Sequence, residues 1–211
     1  MKYKELRINS SLRNAVLSMR DSWRIALLTS LLICGLMIGA FVIKNNNGIF
    51  SEQLVEIIKE SISRKKDSGF LSLLIDSFIP NLMYMILCFS FGLCAVGIPA
   101  ISVLPLIKGF SIGIISSYIY SCYSVKGVCY CLIILFPAQI ISSALLIYAG
   151  NEGYYMSSEL FTAVSKMSNT SENNSFRLYI VRFLILLAFS LIASLFDALL
   201  SILFSRFFLL V

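Results

Sequence analysis

Five polar residues of the last apolar run, Ser190, Ser194, Asp197, Ser201 and Ser205, recur at steps of four, three, four and four. That spacing puts them on one stripe of a helix, opposite leucines and phenylalanines. In a bilayer such a stripe faces other helices or a wet cavity. It then serves as a substrate path, as a partner-docking face, or as serine-mediated helix packing; packing is the reading favoured here. Lys108 and Gln139 are two further polar groups inside apolar runs. None of these forms a catalytic set. The chain has no histidine, which removes Ser-His-Asp and Cys-His nucleophile systems and every histidine-containing metal site. It has no Walker A motif, no GxGxxG and no carboxylate pair within one apolar run. The six cysteines lie within or beside apolar runs and form no CxxC pair; they read as small packing residues. Neither catalytic residues, metal ligands nor a cofactor are expected, and the chain is not expected to be an enzyme.

The elements that must position these residues are membrane helices. Apolar residues make up 58% of the chain and charged ones 13%, with a mean hydropathy of +0.88, against about 25% charged in soluble domains. Several apolar runs reach the ~20 residues that a spanning helix needs. The fold expected is an all-α polytopic membrane protein with about five transmembrane helices and short amphipathic interfacial helices in two loops. Residues 1–24 form a basic arm, in which Lys2, Lys4, Arg7, Arg13, Arg20 and Arg24 outweigh Glu5 and Asp21. Positive charge before a first span argues for a cytoplasmic N-terminus. Attraction to anionic membrane lipid therefore accounts for the net charge of +6, without nucleic acid. No small-x-small cleavage site follows the first apolar core, which reads as a retained span.

Span one covers 25–43, and 44–77 is an extracytoplasmic loop opened by Asn45 to Gly48. In that loop Phe50, Leu54, Ile57, Ile58 and Ile62 make one apolar helix face. Residues 78–150 hold spans two to four: Ile79 to Gly97, on to Tyr123, then Val128 to Ala149. A cytoplasmic loop, 151–177, follows, with a second short amphipathic helix around Leu160, Phe161, Val164 and Met167. Residues 178–211 carry span five and the C-terminus.

Two glycine pairs, Gly35 with Gly39 and Gly109 with Gly113, have the spacing that lets helix backbones approach. They fit packing within the chain or a homo-oligomer interface. The stretch "GIPAISVLPLIKG" turns the chain at Gly97 and Pro99. The favoured reading places Pro105 near the start of the next helix and Lys108 in its first turn, snorkelling to the headgroups. The opposing reading starts the helix at Ala100 and buries Lys108 about 12 Å deep. Asp197 lies fifteen residues beyond Arg182, about 22 Å along a helix. It is expected near the face opposite Lys108.

Read whole, "FIPNLMYMILCFSFGLCAVGIPAISVLPLIKGFSIGIISSYIYS" and "KGVCYCLIILFPAQIISSALLIYAG" resemble the core of the stage II sporulation protein M family. The resemblance rests on Asn81 opening span two, Gly92 within it, the Gly97-x-Pro99 return, Lys108-Gly109 with Gly113 four residues on, Lys126-Gly127, and Pro137 within span four. It implies a non-enzymatic membrane scaffold of endospore formation, acting at engulfment in the septal membrane. It also implies a complex with stage II sporulation proteins D and P, which cleave peptidoglycan. The alternative is a membrane subunit of a transporter or permease, suggested by Lys108, Gln139 and the span-five stripe.

Overall fold

In lipid a backbone must satisfy its polar groups internally, and a helix does so within one segment. The computed structural model describes residues 2–45, 70–166 and 172–205. No strand occurs among them, and the chain is an all-α polytopic membrane protein. Helix α1 is Lys2–Asn45, α2 Phe70–Gly92 and α3 Ile98–Tyr130. A π-helical stretch, Cys131–Leu135, leads into α4 (Phe136–Lys166), and α5 is Glu172–Ser205. Four segments are long and apolar enough to span: Ser22–Lys44, Phe70–Gly92, Ile98–Ser121 and Phe176–Leu203. A fifth is the broken pair Gly127–Ile133 and Phe136–Ala163, bent by 46°. The break has a local cause. Pro137 has no N–H for the carbonyl of Ile133 and its ring crowds that oxygen, and the ladder widens to π spacing immediately before it.

Arms α3 and α4 run antiparallel. Ile101 packs on Gly153 near one end, and Lys108 meets Ser142 about two turns further along α3. Between α2 and α3 lies a five-residue turn, Leu93–Gly97. Ser157 of α4 donates to the Cys94 carbonyl there at 2.7 Å, which ties the turn down. Gly97 sits so close to the Phe91 carbonyl that any side chain would overlap it.

The two glycine pairs meet each other. Gly35 and Gly39 face the carbonyls of Leu106 and Phe110, while Gly109 and Gly113 face those of Leu32 and Leu36. A methyl at any of the four would overlap a backbone oxygen. The close α1–α3 crossing thus occupies both small-residue faces within one chain. The main core lies among α2 to α5 and holds Met85, Cys88, Ile101, Leu104, Leu146 and Phe183. Phe89, Tyr179 and Phe183 form an aromatic trio with centroids 4.7–5.3 Å apart.

Three expectations are corrected. Span two runs from Phe70 to Gly92, not from Ile79 to Gly97. Residues 70–75 are already mostly apolar, and Asp76 sits on an exposed face without ending the helix. Most of 151–177 is helix and not loop, since α4 continues to Lys166 and α5 begins at Glu172. The glycines at its opening serve packing: Gly150, just before it, faces Leu28, and Gly153 faces Ile101 and the Cys88 carbonyl. Leu160, Phe161 and Val164 extend α4 as part of that continuation, with Met167 outside the described residues. Pro105 is likewise not at a helix start but well inside α3, where it is fully buried. The loop helix of Phe50, Leu54, Ile57, Ile58 and Ile62 also lies outside the described residues.

Candidate functional site: a buried lysine at mid-depth

Lys108 is not at an interface. It is the eleventh residue of α3, about 15 Å along the helix from its start, and 4% exposed. The helix begins at Ile98 because Pro99 is accommodated in the first turn, where its missing N–H has no partner to lose. That register carries Lys108 past snorkelling reach of the headgroups. Asn81 stands eleven residues from the end of α2, about 16 Å, and so at the same depth.

The two meet. Lys108 Nζ donates to Asn81 Oδ1 at 3.0 Å and to Ser142 Oγ of α4. Its ammonium also lies 5.3 Å from the centroid of the Tyr84 ring, within cation–π range. The Ser142 hydroxyl donates to Asn81 Oδ1, and Asn81 Nδ2 donates to the Ser77 carbonyl at 3.1 Å. One turn back along α2, the Ser77 hydroxyl donates to Asp197 Oδ2 at 2.6 Å. A hydrogen-bonded thread therefore runs from Lys108 through Ser142, Asn81 and Ser77 to Asp197, using α2, α3, α4 and α5. Among the described residues no carboxylate lies within ion-pair distance of Lys108. Asp197 is one helical turn from the lysine's level, about 6 Å along α2, and not at the opposite membrane face as depth counting suggested.

The other stripe residues divide. Ser190 is 1% exposed; it lines the space around Lys108, and its hydroxyl has no hydrogen-bond partner. Ser194 is fully buried and bonds back to the Ser190 and Leu191 carbonyls of its own helix. Ser201 is buried, and the side chain of Ser205 lies outside the described residues. Of the core motif, only Asn81 and Lys108 come together. Gly92 lies against Tyr179 and Gly153, and Gly97 and Pro99 form the turn. Gly109 and Gly113 face α1, and Pro137 sits at the π junction. Ser142 and Tyr84 are missing from the sequence reading; the one signal for Ser142 is a Ser-Ser pair inside an apolar run.

Chemically, the cluster presents neutral oxygen acceptors around one cation, and among the described residues no base stands beside a nucleophile there. Met85, Leu145 and Leu146 complete its walls so closely that no room for a water molecule remains. No curated protein matches the chain, and no solved structure does. A family model described as Stage II sporulation protein M matches residues 28–202, from the first span through Ser201 of the last. With the match covering the α1–α3 crossing and the whole lysine cluster, the chain belongs to the stage II sporulation protein M family.

Proposed function

We propose that this sporulation membrane protein is a non-enzymatic scaffold that recruits or anchors peptidoglycan hydrolases at the septal membrane during engulfment. Family membership across 28–202 carries the reading. The helix packing supports a framework role, since α1 and α3 cross at their glycine faces and the Ser142–Asn81 and Ser77–Asp197 hydrogen bonds tie α2 to α4 and α5. Its partners are stage II sporulation proteins D and P, and its N-terminus is cytoplasmic. The transporter alternative draws on Lys108, but the packing around that lysine favours a rigid assembly over a solute chamber.

Deletion in the sporulating host tests this directly, with fluorescence imaging of membrane migration and of a tagged hydrolase. The expected result is arrested migration and a hydrolase spread away from the septum. Normal engulfment in the deletion strain would overturn the reading.

A further inference from the structure

We propose that Lys108 is a mid-membrane docking point for a carboxylate on the spanning helix of a partner protein, seated over the seam between α2 and α3. The inference rests on the recruitment reading above and names the chemistry of the partner.

Charge complementarity is the first argument. Lys108 is buried at mid-depth with neutral acceptors only, Asn81 and Ser142. Ionisable groups inside membranes pair with one another, and no described carboxylate fills that role. The unused hydrogen-bonding capacity points the same way. The Ser190 hydroxyl is buried beside the lysine without an acceptor, and the third ammonium proton faces only the Tyr84 ring. As packed, the space between these two donors admits no water; with Tyr84 turned aside it takes the two oxygens of a carboxylate, one for each donor. Access is the third argument. The Tyr84 side chain of α2 interacts with Ser111 of α3, which is exposed. Asn81 and Tyr84 are only half-buried. Rotation of Tyr84 away from Ser111 would open the lysine sideways, toward a neighbouring helix.

The depth selects the occupant. Half the hydrocarbon thickness, about 15 Å, separates the site from either headgroup layer, so lipid phosphates and dissolved acids do not reach it. A carboxylate midway along a spanning helix does.

The test uses the full-length protein in phosphatidylcholine vesicles. The probe is a fluorescent leucine-rich peptide of about 20 residues with one central Asp. Binding is read by energy transfer to a dye on the protein. The central-Asp peptide is expected to bind about tenfold tighter than the same peptide with leucine or asparagine there, the factor given by one good intramembrane hydrogen-bonded contact. The advantage should vanish in Lys108→Met and shrink in Ser190→Ala. Equal binding of the Asp and Leu peptides to the unaltered protein would overturn the proposal, and that comparison needs no variant to fold. Lysine-dependent binding of oleate that displaces the peptide would overturn it too, by making the site one for free fatty acid. Failure of the recruitment reading looks different: Asp-selective binding persists while engulfment proceeds normally in the deletion strain.

Discussion

At the scale of single residues, the lysine cluster makes an asymmetric prediction. Ser142 already donates to Asn81, so removing Lys108 leaves that pair satisfied and eliminates a buried charge. Replacing a buried ionic group by an apolar one of similar volume is often neutral or stabilising, by about 1–4 kcal/mol. Lys108→Met should therefore unfold at the same temperature or higher in detergent. Asn81→Leu does the reverse. It strips an acceptor from a buried ammonium and a donor from the Ser77 carbonyl, and should lower stability by about 2–3 kcal/mol. A Lys108→Met protein destabilised as much as Asn81→Leu would mean that the lysine holds the bundle together, contrary to this account. Ser77→Ala should have a smaller effect, about 1 kcal/mol, since Asp197 is only partly buried.

At the scale of elements, the crossing of α1 on α3 depends on four glycines, and each faces a carbonyl that tolerates no added carbon. Gly109→Leu must push the helices apart, a change in the overpacking range of about 1–3 kcal/mol or more. Its expected signature is an earlier thermal transition, with greater protease access to the N-terminal segment of the purified protein. Gly150→Ala is the milder control, because the nearest atom there is a flexible Leu28 methyl at 3.1 Å. The glycine spacing was legible in the sequence, as were the helical class, the turn between the second and third spans, and the inward stripe position of Ser190 and Ser194. Helix ends were not. Asp76 and Gly150 are residue types that normally punctuate, yet one rests on an exposed face and the other fits against a neighbour. The lysine cluster was not legible either. Its members lie 27, 34 and 61 residues apart, and hydrogen bonds across that separation follow from where each helix begins, which residue types alone leave open. Starting at Ile98 and not near Pro105 is what turns Lys108 from a headgroup anchor into a buried cation.

At the scale of the whole molecule, large apolar side chains such as Met37, Leu71, Ile140 and Leu203 point outward, each more than 60% exposed, while Lys108, Ser142, Ser190 and Ser194 are buried. Two arginines lie at one end. Arg24 lies 5.7 Å from the Tyr154 ring, and Arg182 Nη1 donates to Glu152 Oε2 at 2.7 Å. The Leu93–Gly97 turn is at this end too, as Leu28 of α1 meets Gly150 beside Ile101. This end is continuous with the basic arm, which the proposed orientation puts on the cytoplasmic side. The proposed orientation can be read with two native thiols at opposite ends of the bundle. Cys94 lies in the turn and Cys129 near the start of the α3–α4 return arm, and both are exposed. In single-cysteine variants on intact cells, a membrane-impermeant maleimide should modify Cys129 at once and Cys94 only after permeabilisation. Because the arms are antiparallel, the two thiols cannot report the same side unless a span is missing from the membrane. The reverse labelling pattern would invert the molecule, and would place the basic arm and the Arg182–Glu152 pair outside the cell.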